Sequence, residues 1–317
     1  AKDEPLTMLE VHERHTTGMY GAWEFDESRM YLGLITVGYT EKADGSGGSF
    51  GYGKAGLLGA SAPRNVFTYT CFRELQSDPG VTRRFLGMSY WKRHKVGDQS
   101  FTGFGRMGNG LRPWENDDAD KYATQLGLEI REPSQEDDLG TSFLLLEPLV
   151  EPDDLLRAIE RWWWPALIRS GDDFDVSVVD VDGSVHHPRP KSVAELRSFI
   201  EAFELAASGG QGGNENTRFH KFDSLALPND GNRNVGVGAL ALVADPRPEG
   251  WTWIEDDEVD HNSLIALTRG PGMVIDYHRV MTVPRPAHVR GVFVADASEQ
   301  GIDDLLRQTE PPAHNTL

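Results

Sequence analysis

The sequence predicts an α+β protein built from two domains. Three observations carry this expectation. Several short runs alternate apolar and polar residues at the strand period, others repeat apolar residues at the helix period, and a proline-rich stretch near the middle interrupts both patterns. At 317 residues the chain is long enough for two hydrophobic cores. Hydrophobic residues make up 38% and charged residues 26%, the balance of a globular rather than a disordered chain.

Taken in order, residues 8–11 read as a first strand, because LEVHERHTTGM (9–19) alternates before a polar turn at Thr16, Thr17 and Gly18. Residues 30–37 (MYLGLITV) suit a short helix or a strand. The stretch 47–63 (GGSFGYGKAGLLGASAP) interleaves glycine with small or aromatic residues, sets Lys54 directly after Gly53, and runs into a helical pattern of Ala55, Leu57, Leu58 and Ala60. Residues 65–73 (NVFTYTCFR) and 81–92 (VTRRFLGMSYWK) are rich in strand formers, and 101–106 (FTGFGR) reads as part of a hairpin. The charged run 114–121 (WENDDADK) is expected as a surface loop or cap, and 141–146 as a buried strand.

A domain boundary is expected at 150/151, within EPLVEPD (147–153). Beyond it, 154–164 has helical spacing, with Leu155, Ile159, Trp162 and Trp163 on one face, and Pro165 is expected to end or kink the helix. The three tryptophans at 162–164 fit core packing better than a base-stacking platform, since their spacing is that of an amphipathic helix. Residues 174–181 (FDVSVVDV) alternate as a strand, 193–207 form a second helix, and 208–216 (SGGQGGNEN) form a flexible connection. Further strands are expected at 235–243, 273–277 and 289–295.

Composition restricts the function classes. Fifty acids against 31 bases give a formal charge of -19, which opposes non-specific adhesion to DNA or anionic membranes and leaves room only for a local basic patch. The one cysteine, Cys71, cannot form an internal disulfide and sits in an apolar strand, where it packs rather than reacts. No apolar run is as long as a membrane span and no signal peptide opens the chain, so a cytoplasmic protein is expected. Two histidine pairs, His12 with His15 and His186 with His187, fall short of the three or four convergent ligands of a zinc site.

The glycine-rich stretch admits several readings. Glycines let backbone N–H groups turn toward a phosphate, a following helix presents its positive end, and a lysine adds a full charge. Gly48, Gly53 and Lys54 nearly satisfy a Walker A loop, yet Ala55 stands where a hydroxyl should hold Mg²⁺, and the preceding EKADGS (41–46) is not a buried strand. Gly51, Gly53 and Gly56 fit a dinucleotide fingerprint that lacks the same strand, with Glu74 as its acidic partner. A hairpin loop without a ligand is the plainest alternative.

A third reading joins this loop to LEVHERHTTGM and to LGTSFLL (139–145). Their order resembles the GHKL ATPase superfamily of gyrase, heat-shock chaperones, histidine kinases and MutL. The likeness is greatest to bacterial ATP-binding proteins with a Thr-Thr-Gly turn, a GGSFG-x-GK loop and a late segment that here reads LRQTEPPAH (306–314). The resemblance implies a Bergerat-type sandwich over 1–150, followed by a transducer-like α+β domain over 151–317, with ATP and Mg²⁺ as ligands.

By the same resemblance Glu13 accepts the adenine amino group, where the family has Asp, and Thr141 shares a water-mediated contact beside Gly140. Thr17 and Gly18 belong to the turn, and Gly48, Ser49, Gly51, Gly53 and Lys54 close over the triphosphate. The family's catalytic Glu and Mg²⁺-binding Asn should precede the first strand, where only Ala1 to Thr7 stand, so both are expected on a segment upstream of Ala1. Lys221 is the preferred transducer lysine, although an ordinary solvated lysine fits it as well. The implied function is an ATP-driven conformational switch, an ATPase when complete, with a homodimer or protein partner and a DNA-related or defence role. The alternative is an interaction module that keeps the fold without hydrolysis.

Overall fold

A computed structural model of the chain describes residues 5–24, 27–36, 53–169, 174–227, 233–245, 263–270, 272–280, 288–298 and 302. They divide into two compact units between Glu151 and Pro152. Both are mixtures of helices with mainly antiparallel sheets.

In the first unit, β1 (Met8–His12) leads through a turn to α1 (Arg29–Leu34). Ser28 caps α1, its Oγ accepting from the Tyr31 amide at 3.1 Å, and Met30, Leu32 and Leu34 are buried. The short helix α2 (Gly53–Gly59) follows. Next come β2 (Asn65–Cys71) and β3 (Arg83–Tyr90), whose β-branched and aromatic residues suit a sheet covered on both faces. A small ribbon, β4 (His94–Val96) with β5 (Gln99–Phe101), precedes β6 (Phe104–Met107) and β7 (Trp114–Glu115). Helix α3 (Asn116–Gln125) and strand β8 (Gly140–Leu146) complete the unit. The antiparallel sheet runs β1-β8-β2-β3-β6, with β7 also pairing with β3.

Side-chain alternation divides this sheet into two buried faces. On one, Leu86 and Met88 meet Trp23, Met30 and Leu34, which brings α1 onto the sheet; α2 contacts both α1 and β2. On the other, Tyr69, Phe85 and Leu144 pack against Ala119 and Ala123 of α3. Residues 114–121, expected as a loop, are therefore mostly helix. Asp117 and Asp118 in the first turn complement the helix dipole, and the small Ala119 and Ala123, four apart, let α3 approach the sheet.

The second unit begins with α4 (Pro152–Arg169), which does not stop at Pro165. Proline lacks the N–H that would serve the Arg161 carbonyl one turn back, and that carbonyl accepts instead from the Tyr277 hydroxyl at 2.6 Å. The next amide, Ala166, donates to the Gly272 carbonyl at 2.9 Å, and Trp164, Pro165 and Ala166 are all buried. The break in the ladder is thus filled from outside the helix. The strand expected at 174–181 shrinks to β9 (Val178–Val179), paired with β10 (Val185–His186): Phe174, Val176 and Val178 alternate as half-buried residues, with Phe174 against Trp163 of α4, but a partner strand pairs with Val178 and Val179 alone among the described residues.

Helix α5 (Arg197–Ala207) starts after a 3₁₀ turn at Ala194–Leu196, and Phe199, Ile200, Ala202, Phe203, Leu205 and Ala206 are buried. Residues 208–216, expected to be flexible, fold into a hydrogen-bonded turn in which Ser208 Oγ donates to the Leu205 carbonyl at 3.0 Å. The strands that follow are β11 (Thr217–Phe222), β12 (Leu225–Leu227), β13 (Arg233–Val235), β14 (Gly238–Asp245), β15 (Ser263–Thr268), β16 (Val274–Arg279) and β17 (His288–Ala295). The expected strand 235–243 is divided between β13 and β14. The main sheet runs β11-β14-β17-β15-β16, antiparallel except where β15 runs parallel to β17.

The tryptophans belong to this unit's core. Trp164 is fully buried and donates from Nε1 to the Tyr277 hydroxyl at 3.0 Å, while Tyr277 donates to the Arg161 carbonyl at 2.6 Å. Trp162 packs against the same Tyr277 ring at 5.5 Å. Among the described residues no helix is long and apolar enough to cross a membrane.

Candidate functional site

The most distinctive polar arrangement lies where β1 runs out beside the start of β8. Glu13 and Thr141 exchange both backbone hydrogen bonds, at 2.8 and 3.2 Å, extending the strand pairing one residue past β1. Directly opposed residues share a sheet face, so Glu13, Thr141, Thr70 and Arg84 form one row across β1, β8, β2 and β3. The row is on the α1 side of the sheet, since Phe143, Leu86 and Met88 of the neighbouring rows pack with that helix. Glu13 is its exposed end; Thr141, Thr70 and Arg84 are fully buried.

Backbone geometry explains why glycine stands at two points here. Gly140 has φ +147°, and a Cβ on it would lie 2.1 Å from the Glu13 carbonyl oxygen. The space it clears is thus occupied by the backbone of the opposite strand. Gly18 has φ +63°, and a Cβ there would stand 2.3 Å from the Cys71 carbonyl oxygen, so the Thr16 to Gly18 turn lies flat on β2. His15 adopts φ +55°, and the Thr16 amide donates to the Leu139 carbonyl at 3.2 Å. Thr17 is exposed on the same turn.

Three hydroxyl and amide groups meet behind Glu13. The Met19 amide donates to Thr70 Oγ1 at 2.8 Å, and Thr70 Oγ1 donates to the Gly140 carbonyl at 3.1 Å. Thr141 Oγ1 lies 3.1 Å from Thr70 Oγ1, where either hydroxyl can be the donor. A carboxylate is an acceptor of N–H donors, so the exposed Glu13 carboxyl, set opposite the buried Thr141 hydroxyl, fits a ligand rich in such donors. One row further along, Thr68 Oγ1 is fully buried and has no hydrogen-bond partner among the described residues.

A buried arginine that the sequence does not single out holds this corner from behind. Arg131 is 2% exposed and donates from Nη1 to the carbonyls of Glu13 at 2.8 Å and Asp138 at 3.1 Å, and from Nη2 to Ser142 Oγ at 2.8 Å. Burial, and then the like charge of Arg14, lowers its guanidinium below the ordinary arginine value. Arg14 pairs with Asp138 at 3.1 Å and with Glu129. Ser142 Oγ also lies 3.0 Å from His12 Nδ1, and His12 Nε2 lies 2.9 Å from Glu10. Nothing periodic in GLEIREPSQ (127–135) marks Arg131, because its partners Asp138, Ser142 and Glu13 lie outside that stretch, the last of them 118 positions away.

The other predicted residues are placed as follows. Gly53 and Lys54 open α2, which packs against β2 and α1. Gly48, Ser49 and Gly51 lie outside the described residues. Ala1 lies outside them too, so the catalytic Glu and Mg²⁺-binding Asn expected upstream of it have no counterpart among the residues placed here. Lys221 is exposed on β11 in the second unit and pairs with Asp223 at 3.5 Å. His12 is held by Ser142 and Glu10, His15 lies 3.6 Å from Asp137, and among the described residues no cluster of three or more histidine, cysteine or acidic side chains could hold a metal. Burial pushes the Cys71 thiol up to about 11, as expected for a packing residue.

A separate polar depression of about 550 Å³ is lined by Gly80, Thr82, Arg83, Glu115, Asn116 and Asp117, none of them a predicted site residue. Asn116 there serves the fold, accepting from the Thr82 amide at 3.0 Å and donating to the Gly80 carbonyl. In comparisons with known proteins, the chain matches no family model and no curated protein.

Proposed function

We propose that the chain is an ATP-binding switch of the GHKL type, with a Bergerat-type first unit holding the nucleotide and a transducer-like second unit responding to it. The observation that carries this reading is the direct opposition of Glu13 and Thr141 across β1 and β8. An adenine presents an exocyclic amino group, and a carboxylate with a hydroxyl lone pair beside it is the chemistry that receives N–H donors. The pairing also supports the sequence argument, because residues 128 positions apart that were chosen for one base become cross-strand neighbours.

In this reading Glu13 is reached from solvent, Thr141 is met through a water, and Arg131 positions Glu13 through its carbonyl. Lys54 and the glycine amides of 48–53 take the phosphates. ATP favours a closed state by its differential affinity for that state, and the second unit moves with the closure. Mg²⁺ neutralises the phosphate charge when bound, and hydrolysis requires a carboxylate base in addition. A second reading, an interaction module that does not turn ATP over, is favoured by Glu13 standing where the family has Asp.

Titration calorimetry of the full chain with ATP tests the first reading. Micromolar binding that is lost in Lys54→Ala and weakened in Thr141→Val is the expected result, and equal binding by all three proteins defeats it. Steady ATP turnover by the protein with its natural N-terminus excludes the second reading.

A further inference from the structure

The acidic composition of the chain reverses locally on an exposed segment. Residues 92–95 read Lys-Arg-His-Lys, and between Trp91 and Arg106 the only acid is Asp98. This run begins the β4–β5 ribbon, a two-stranded element apart from the main sheet, and every residue from 91 to 102 is exposed. Among the described residues, Lys92, Arg93 and Lys95 make no ion pair. Three unpartnered cations on one projection are unusual in a protein with 50 acids.

The ribbon's register shows what it offers. His94 opposes Phe101, Lys95 opposes Ser100 and Val96 opposes Gln99. Lys95 and Ser100 therefore share one face, and Arg93, two residues before Lys95, continues it. The His94 ring stacks on Phe101 at 5.6 Å and 17°, and the Arg64 guanidinium lies over the Trp91 ring at 5.7 Å, which leaves Trp91, Val96 and Phe101 still partly exposed. Beside them the ribbon presents positive charge with a hydroxyl and an amide, which suits phosphates and groove edges.

Shape agrees with the charge, since a two-stranded ribbon fits the major groove of a DNA duplex. We propose that the β4–β5 ribbon is a docking surface for double-stranded DNA, with Lys92, Arg93 and Lys95 contacting phosphates. This inference does not depend on nucleotide binding by the Glu13–Thr141 corner.

Fluorescence anisotropy of the full chain with a labelled 20-base-pair duplex of mixed sequence tests the proposal. Three phosphate contacts give a slope of about -2.7 in log affinity against log salt, so binding should weaken about 40-fold between 50 and 200 mM KCl. The triple variant Lys92→Glu, Arg93→Glu, Lys95→Glu should lose binding at 50 mM with an unchanged Tm. The milder Lys95→Gln, which leaves the fold alone, should shallow the slope by about 0.9. The proposal is overturned by a wild-type protein that does not bind the duplex at 50 mM, or by variants that keep its affinity and slope. It is equally overturned if single-stranded DNA binds more tightly than the duplex, or if polyglutamate competes as well as unlabelled duplex, the mark of an acidic protein partner.

Discussion

Replacing Gly140 by Ala probes the corner on which the functional reading depends. The added Cβ would lie 2.1 Å from the Glu13 carbonyl oxygen and 3.0 Å from Arg131 Nη1, and the first of these is backbone, which no side-chain rotation can relieve. At φ +147° the substitution also carries backbone strain of about 1–3 kcal/mol. Withdrawal of Glu13 breaks its two backbone bonds with Thr141, at roughly 0.5–1.5 kcal/mol each. These add to a loss of about 2–6 kcal/mol; 4 kcal/mol corresponds to a fall in Tm of about 8–16 °C for a unit of this size. Differential scanning calorimetry reads it directly. Gly127→Ala is the control: its φ is +84° but no atom lies within 4 Å, so it should lose only about 1 kcal/mol. A Gly140→Ala protein melting within about 2 °C of wild type would show that β1 and β8 do not meet as described.

Three further outcomes follow from burial and backbone. Thr68→Val removes a buried hydroxyl that has no partner among the described residues, and should raise Tm by about 2–4 °C for a gain near 1 kcal/mol; a lower Tm would mean that the hydroxyl bonds to something, such as an ordered water. Gly56→Ala, inside α2 with open space around the new Cβ, should stabilise by about 0.5–1 kcal/mol in a urea titration, and a loss of stability would contradict the helix there. Burial raises the Cys71 thiol from 9.0 to about 11 and also raises the Tyr69 and Tyr277 phenols. The folded chain therefore holds these protons more tightly than the unfolded chain. The Cys71 contribution is complete below pH 9 and should be lost as pH rises from 9 through 11, while that of the two phenols begins to fall only above pH 10 and continues beyond 11; Cys71 should also resist a thiol reagent at pH 8 until denaturant is added, and ready labelling of the native protein would contradict its burial.

Much of the first unit is legible in the sequence because its signals are local. NVFTYTC forms β2 and GTSFLLL forms β8, where strand propensity and burial agree. Helix α3 reads as a surface loop or cap because WENDDADK is polar enough for solvent, and of its eight residues Ala119 is the one buried on the face turned to Tyr69 and Phe85, which Tyr122 and Ala123 continue. Pro165 reads as a stop because a proline's cost is local, whereas its compensation comes from the Tyr277 hydroxyl, which donates to the orphaned Arg161 carbonyl. The strand expected at 174–181 is cut short because alternation does not show how far a partner strand extends, and pairing stops at Val178 and Val179.

By itself, then, the sequence determined the element types wherever period and propensity agree, the net charge of -19, and the candidates Glu13, Thr141 and Lys54. Tertiary structure alone decided that Glu13 and Thr141 are cross-strand neighbours, that the Thr70 and Thr141 hydroxyls meet in the buried part of the row, and that Arg131 grips the Glu13 carbonyl from behind. It also decided that the cations of 92–95 stand together on an exposed ribbon. The physical reason is one of range: propensity acts over a few residues, whereas strand register joins groups more than a hundred positions apart, and hydrogen-bond direction is settled only when every donor around an oxygen is in place.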